Sequence, residues 1–489
     1  MITAEDLAKL DPKKAGLFSF RFVSGKYVLT NDHGGHLQVE EAEFRQLIRG
    51  EVPAGTSLHD ELQERGFLRV WLDFDALSRQ WRERYWFLWQ ATSLHIVVVT
   101  LRCNQKCVYC QVSSVGMDRV ETDMTLETTE KVVDRIFESP NRELMVEFQG
   151  GEPLVNWPVV RLIVEKVRRL EKSMDKKVTI GIVSNLSLMD QEKLDFLIGH
   201  KVTFCTSLDG PAEIHEKNRL WVGGNSHADT VKWWKTIQER TSRKKYRIDG
   251  LTTVTRLSLA HPKEIVDEFV GLGARAVYLR FLSPLGYATR TWEQIGYSAA
   301  EFLAFYKAAL DHIIEINLRR KDARFFENTA RHFLTKILLN RDPNTCDLRN
   351  PCGEGIGQLA YDFDGSVYTS DEGRMLARMG DDSFKIGHVA SGSHRESMRQ
   401  PVVRALVMAS VLDSHPFYST HAYKAYDGIS PVINHASQGD MFGRMDTNLR
   451  CLVHTGILDY LFEKLRDKKV SNVFQRWIAE PGISAPAGL

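Results

Sequence analysis

Cysteine is scarce, with seven residues in a chain of 489. That excludes a disulfide-knit secreted scaffold and leaves the thiols for metal or redox chemistry in a reducing compartment. Net charge is almost absent, 64 Lys and Arg against 63 Asp and Glu, so the chain as a whole offers no field for nucleic acid or an anionic membrane. Runs such as Arg243-Lys244-Lys245 read as solvated faces. Long hydrophobic runs are missing too. The most apolar stretch, residues 85–101, is broken by Gln90, Thr92, Ser93 and His95, short of the ~20 apolar residues a membrane span needs. The opening residues already carry Glu5 and Asp6 and no apolar run, which is not a secretory signal. These absences lead to the expectation of a cytoplasmic protein without a membrane partner. What is present is ordinary globular composition, 43% hydrophobic and 26% charged, in a length that suits roughly three domains of ~150 residues.

Residues 1–70 read as a separate unit. Short strand-like runs at 18–22 and 27–30 flank Ser24-Gly25, a hairpin signal, and residues 31–35 carry turn chemistry. Phe44, Leu47 and Ile48 then fall at helical spacing before Gly50, and Leu58 and Leu62 begin a second helix that ends near Gly66 and Phe67. The unit resembles the small winged-helix-like modules that engage leader peptides in peptide-modifying enzymes. On pattern alone it is equally a small domain packed on its neighbour.

A linker helix over 71–92 leads into residues 93–320, where strands and helices alternate. Strand candidates are 94–100, 144–148, 178–183, 202–207, 248–254 and 276–282, with amphipathic segments at 125–139, 159–170 and 191–198 among them. Six β-then-α units predict an α/β fold with a parallel sheet and right-handed crossovers, open or curled into a partial (β/α)6 barrel. Functional residues then belong at the carboxyl ends of the strands. A connecting helix is expected over 321–345. Beyond it, residues 346–475 are rich in turn formers and show no long periodic segment until 457–465. With Cys346, Cys352 and Cys451 inside it, this region is expected to be organised by metal rather than by a large core. The Pro/Gly/Ala-rich end, 476–489, reads as a flexible tail.

Thr100-Leu-Arg-Cys103-Asn-Gln-Lys-Cys107-Val-Tyr-Cys110 follows the first strand of the alternating region. Three thiolates in one such loop can each hold one iron of a cubane cluster and leave the fourth iron open for chemistry. Zinc is the alternative, although zinc sites usually close four ligands with paired C-x2-C elements or added histidine. One β/α unit later comes Phe148-Gln-Gly150-Gly151-Glu152-Pro153. Paired glycines permit close backbone approach, and Glu152 offers a carboxylate for an ammonium group. Alone, Gly-Gly-Glu-Pro would be only a turn. Cys205, mid-strand among apolar residues, reads as a small core residue.

The C-x3-C-x-aromatic-C form of the loop resembles the radical S-adenosylmethionine (radical SAM) enzymes. That resemblance implies a [4Fe–4S] cluster on Cys103, Cys107 and Cys110, which are the catalytic and metal-binding candidates. S-adenosylmethionine would chelate the open iron and yield a 5′-deoxyadenosyl radical on one-electron cleavage. It further implies Tyr109 beside the adenine, and Gly150, Gly151 and Glu152 at the methionyl amine. Ser184 and Asn185 would lie near the ribose or carboxylate, with Ser207 and Arg219 at the carboxylate. As isolated residues Ser184, Asn185, Ser207 and Arg219 are equally turn or surface groups, and Tyr109 alone reads as core packing.

The C-terminal region resembles a SPASM extension, a domain that in full form holds auxiliary iron–sulfur clusters. Cys346 and Cys352 match its opening, but Ser370 stands where a cysteine belongs, and Tyr418, His421, Asp427 and Ser430 align with a cysteine run; Cys451 fits the last position. The expectation is a degenerate SPASM-like domain without the two auxiliary clusters, with Asp371, His421 and Asp427 as possible substitute ligands and Cys346 with Cys352 at most a labile metal site. Segments such as Phe20-Arg-Phe22, Leu29-Thr-Asn-Asp32, Ser370-Asp-Glu-Gly-Arg374 and Gln438-Gly-Asp-Met-Phe-Gly-Arg444 are similar to the His-Xaa-Ser system radical SAM maturases. This implies a ribosomally made precursor peptide as partner, an electron donor such as a flavodoxin or ferredoxin, and peptide crosslinking, epimerisation or oxidation as the outcome. The competing readings are a radical SAM enzyme acting on a small molecule or nucleic acid, which near-neutral charge disfavours for nucleic acid, and a non-catalytic iron–sulfur partner protein.

Overall fold

The computed structural model describes residues 1–69, 73–241, 248–320 and 324–479; the basic run at 243–245 lies outside them. Strands β1 (Ser19–Val23), β2 (Lys26–Thr30) and β3 (His36–Val39) form an antiparallel sheet in that order. Ser24 and Gly25 both take positive φ, 44° and 90°, the turn whose twist suits a two-residue hairpin. The third strand was not signalled by the turn residues that precede it. Alternation along β2 splits its side chains between two cores. Tyr27 and Leu29 pack with Phe44, Leu47, Ile48 and Leu62 of helices Glu41–Arg49 and Ser57–Glu64. Val28 instead joins the main core of the molecule. That second face docks on the C-terminal region. Arg21 pairs with Asp459 at 2.6 Å, Thr30 Oγ1 donates to the Ala422 carbonyl at 2.5 Å, and Tyr426 donates to the Gly34 carbonyl at 3.1 Å.

Six strands then lie side by side in chain order, each parallel to the next: β4 (Leu94–Val98), β5 (Glu143–Gln149), β6 (Lys177–Ser184), β7 (Val202–Ser207), β8 (Ile248–Thr253) and β9 (Ala276–Arg280). Every residue of β4 is buried, as expected of a parallel strand covered on both faces. The crossover helices follow from sequence. Thr125 caps Leu126–Phe137 by accepting from Thr128 N, and Val132, Val133, Ile136 and Phe137 form its buried face. Trp157–Ser173 buries Val159, Val160, Ile163, Val164 and Val167.

Among the described residues β4 and β9 do not pair, so the barrel is partial. The β9 edge is extended by β10 (Phe326–Glu327), parallel to it. On the β4 side, β11 (Gln358–Tyr361) adds in parallel, followed by antiparallel β12 (Ser366–Tyr368) and β13 (Lys385–His388). The C-terminal region is thus stitched into the same sheet.

That region is not a set of turns gathered by metal, which corrects the expectation. Helices Pro401–Ser410, Pro431–Gln438, Leu449–Lys464 and Lys468–Ile478 run through it, and Val403, Tyr423, Tyr426, Val453 and Leu461 belong to the main core. Helix Leu449–Lys464 was signalled only from 457 onward because its apolar residues do not form one stripe; they serve the barrel on one side and the N-terminal unit on the other. Residues 476–478, expected as the start of a flexible tail, belong to the last helix. Trp477 is 1% exposed in the last helix, and residues 480–489 lie outside the described residues. No described helix is long and apolar enough to cross a membrane.

Candidate active site

The loop after β4 is pinned along its length. Thr100 Oγ1 donates to Asp123 at 2.6 Å, Cys103 N donates to Val115 O at 3.0 Å, and Cys110 O accepts from Tyr287 N at 2.8 Å. Cys107 pairs with Arg219 in a two-residue antiparallel ladder. Held this way, Cys103, Cys107 and Cys110 line one cavity. Polar hydrogens approach two of the sulfurs. Gln105 N lies 3.4 Å and Asn185 Nδ2 3.9 Å from Cys103 Sγ, and Ser114 Oγ lies 3.3 Å from Cys110 Sγ. Burial pushes the Cys107 thiol up to about 12 while Arg219 pulls it down. Burial raises Cys103 as well, and the neighbouring Cys107 and Glu152 add to it.

The glycine pair is explained by this loop as much as by any ligand. Gly150 has φ +136°, and a Cβ there would fall 2.3 Å from the Thr100 carbonyl; a Cβ on Gly151 would fall 2.1 Å from that of Arg102. Gly151 N donates to Thr100 O at 2.9 Å and Glu152 N to Arg102 O at 2.8 Å. The two loops are therefore locked backbone to backbone, with Gly150 and Gly151 still on the cavity wall.

Glu152 departs from the sequence reading. It does not line the cavity and is 1% exposed. Its carboxylate accepts from Leu154 N at 3.0 Å, Ser184 Oγ at 2.8 Å and Asn185 N at 2.8 Å, which consumes most of its accepting capacity. It is a strut between the ends of β5 and β6, not an open receptor for an ammonium group.

The remaining candidates converge. Tyr109, Ser184, Asn185, Ser207 and Arg219 all line the cavity. Asn185 Nδ2 also donates to Asn104 at 3.0 Å, tying β6 to the cysteine loop. A residue that the motif reading passed over organises two others. Asp209, fully buried, accepts from Tyr109 OH at 2.6 Å and Arg219 Nε at 3.2 Å. The Arg219 guanidinium sits 5.4 Å over the Tyr109 ring. Burial works against its charge, but Tyr109, Cys107 and Asp209 hold it protonated. A carboxylate two residues past a strand-end serine was the available signal.

Further wall comes from β9, from helix Asn328–Leu339 and from the C-terminal region, through Arg280, His332, Cys346, Glu372, Arg450 and His454 among others. Ser370 and Ser430, standing where cysteines were expected, act as helix caps: their hydroxyls accept from Gly373 N at 3.1 Å and Ile433 N at 3.2 Å. Asp371 is held by Arg374 at 2.7 Å. Asp427 accepts from Tyr418 OH at 2.5 Å and Gly428 N at 2.8 Å and pairs with His454 Nδ1 at 2.7 Å. His421 Nδ1 accepts from Tyr423 N at 3.2 Å. Asp371 and Asp427 are thus engaged in protein contacts, whereas His421 Nε2 is buried without a hydrogen-bond partner among the described residues.

Three thiols from one loop, two of them near N–H and O–H donors, suit a cluster in which each sulfur takes a different iron. Among the described residues no three His, Cys, Asp or Glu side chains converge on a single ion. Beside the thiols on the same cavity wall, a guanidinium, an amide and hydroxyls suit an amino-acid carboxylate and a ribose. Residues 97–269 match the family model of the radical SAM superfamily. These residues form a radical SAM domain.

The chain is 27% identical over 286 residues to the cysteine-type anaerobic sulfatase-maturating enzyme of Clostridium perfringens, covering 57% of this chain and 74% of that protein. It is similar to native anSMEcpe with bound AdoMet, with TM-score 0.64 and 21% identity over 78% of this chain and 99% of the other. It is also similar to Streptococcus suis SuiB bound to precursor peptide SuiA, with TM-score 0.53 and 11% identity over 90% and 99%. At these identities the solved structures establish the fold. The chain is an enzyme that carries a radical SAM domain and is related to maturases, and its cofactors are a [4Fe–4S] cluster and S-adenosylmethionine.

Proposed function

We propose that this radical SAM enzyme matures a ribosomally made precursor peptide. Cys103, Cys107 and Cys110 hold the cluster in this reading, and Tyr109, Gly150, Gly151, Ser184, Asn185, Ser207 and Arg219 bind S-adenosylmethionine. The observation that carries it is one cavity lined jointly by the cysteine loop, the glycine loop, the strand ends and the C-terminal region. When bound, the cluster and S-adenosylmethionine supply a one-electron cleavage that frees a 5′-deoxyadenosyl radical to take a hydrogen atom from carbon. The chain's own work is positional. Asp209 fixes Arg219, whose planar fork suits a carboxylate, and fixes Tyr109, whose ring offers a face to adenine. Asn185 and Ser207 offer amide and hydroxyl groups to the ribose or carboxylate. The C-terminal wall keeps water from the reactive centre.

Peptide as the substrate class is supported by the relatives' names and by the N-terminal sheet. β1 is an edge strand, and the alternation set by the Val23–Lys26 pair turns the backbone groups of Phe20 and Phe22 outward. A peptide added there as a strand gains main-chain hydrogen bonds, with half-exposed Phe22 as a side-chain contact. An external one-electron donor of the flavodoxin or ferredoxin kind completes the system.

The test is anaerobic turnover by reduced holoenzyme with peptides made from the short reading frames that flank the gene. A changed peptide mass, matched by deoxyadenosine, supports the reading. Phe22→Pro removes an outward N–H without touching the β1–β2 ladder, and it should raise the peptide concentration needed for half-maximal turnover. Deoxyadenosine formation coupled to a small molecule, with every peptide unchanged, would overturn the peptide assignment.

A further inference from the structure

The cavity holds a fourth cysteine that the cluster does not need. Cys346 lines it together with the cluster cysteines and is 4% exposed. Cys352, expected to act with it, is turned elsewhere: it is not on the cavity wall, and its Sγ donates to the Cys346 carbonyl at 3.3 Å. The Cys346 thiol is fixed by the turn beneath it, since a Cβ on Gly353 would lie 2.8 Å from its sulfur.

Two imidazoles open onto the same cavity. His332 is 6% exposed, with Nδ1 3.4 Å from Thr345 Oγ1; His454 is 3% exposed, with Nδ1 2.7 Å from Asp427. Neither Nε2 has a hydrogen-bond partner among the described residues, so each is left for whatever fills the cavity. This end of the cavity faces a ligand rather than sealing a core.

An S–H bond is weaker than an ordinary aliphatic C–H bond and close in strength to a peptide α-C–H bond, so a thiol can give a hydrogen atom to a carbon radical, which the much stronger O–H and N–H bonds of hydroxyl and amide groups do not. Only the protonated thiol can do so, and burial pushes Cys346 up to about 12. We propose that Cys346 is the hydrogen-atom donor of this cavity, returning hydrogen to the substrate carbon radical so that the net change is inversion at that carbon. The inference rests on the radical SAM peptide reading and narrows its outcome to epimerisation.

The atoms and electrons balance. The substrate C–H hydrogen atom leaves to the 5′-deoxyadenosyl radical. The Cys346 S–H bond breaks homolytically and its hydrogen forms the new C–H bond. The thiyl left behind is restored by one proton and one electron from the same class of low-potential donor that reduces the cluster.

Because S–H exchanges with solvent and C–H does not, the test needs no peptide. Holoenzyme in thiol-free D2O buffer, with dithionite as reductant and S-adenosylmethionine as the probe, should yield 5′-deoxyadenosine carrying deuterium taken from Cys346. Cys346→Ser should reduce the deuterated fraction of whatever deoxyadenosine it makes to background, and Cys352→Ser should retain it. Undeuterated product from the unaltered enzyme, or equal deuteration from Cys346→Ser, overturns the inference and leaves the radical SAM reading standing. No deoxyadenosine from the unaltered enzyme overturns that reading and this one with it. A second readout uses cluster-free protein alkylated with iodoacetamide and mapped by mass spectrometry. Cys346 should react before Cys352, and the reverse order rejects the cavity-facing thiol.

Discussion

Cys103, Cys107 and Cys110 come from one pinned loop and share a cavity, whereas Cys346, Cys352 and Cys451 have three different environments. Cys346 faces the cavity, Cys352 bonds a carbonyl, and Cys451 sits in a small cluster with Leu412, Tyr418, Ile429 and Met445, 3.4 Å from the Tyr418 hydroxyl. Where the C-terminal region lacks cysteine, it has helix caps at Ser370 and Ser430 and a buried acid at Asp427 that bridges Tyr418 and His454. Cross-linking that metal could provide is supplied by caps, polar pairs and packed helices. Residue type alone does not separate the two regions; what each thiol has for neighbours does.

Removing thiols is the strongest way to break this contrast. Cys103→Ala, Cys107→Ala and Cys110→Ala together should abolish both the S-adenosylmethionine-responsive cluster signal and deoxyadenosine formation. The corresponding Cys346, Cys352 and Cys451 triple alanine variant should keep about four irons per chain, the content of one cluster. Iron analysis of anaerobically reconstituted protein decides. Eight or more irons in the unaltered protein, or loss of iron from the second variant, would erase the distinction.

A smaller effect is expected at Asp427. Asp427→Asn leaves an amide facing donors and removes the anion paired with His454, both buried. An unmatched buried donor costs about 1–3 kcal/mol, which in a chain of 489 residues lowers Tm by less than the ~2–4 °C per kcal/mol of a protein of about 150–250 residues. Thermal unfolding is the measurement. An unchanged Tm would mean that this network does not hold the region together.

The barrel was legible because its strands are short runs rich in apolar and β-branched residues, as in β4 and β7, and because turn and helix signals separate them. The hairpin was legible from Ser24-Gly25. Helix Leu449–Lys464 was legible only over its second half, because it buries residues against two partners and so shows no single apolar face. The cavity candidates were legible as motifs at strand ends, but partners are three-dimensional. Nothing local tells that Asn185 N and Ser184, a strand away, occupy the Glu152 carboxylate, or that Asp209 anchors Tyr109 and Arg219. Nor does spacing tell that Cys346 and Cys352 face different ways.

Glu152 gives the next test, within the N-terminal side of the comparison. Glu152→Gln keeps the shape but turns an NH2 toward one of three donors. A strut should respond with lost stability, about 1–3 kcal/mol for one buried donor left unmatched. A direct receptor for the methionyl amine would respond instead with weaker S-adenosylmethionine binding at unchanged Tm. Equilibrium binding and thermal unfolding of the same cluster-loaded sample separate the two, and the second pattern would reverse the assignment made above.

The smallest expected effect concerns pH, and it distinguishes the C-terminal region by a carboxyl rather than a thiol. Glu354 is 2% exposed, accepts from Val432 N at 3.3 Å and receives the Ser430 hydroxyl. Burial, with Glu372 adding to it, pushes its carboxyl up to about 8. The folded chain therefore keeps a proton that the unfolded chain loses in the ordinary carboxylate range. Its contribution to stability is complete below that range and is lost as pH rises toward 8. Glu147, pushed up to about 7 by burial, acts in the same direction from β5. Glu354→Gln cannot ionise, so its Tm should fall less steeply between pH 5 and 8 than that of the unaltered protein, with Glu147 accounting for the slope that remains. Parallel Tm curves for the two proteins across that window would show that Glu354 is ionised in the fold, its charge met by Ser430 and the Val432 amide rather than suppressed by burial.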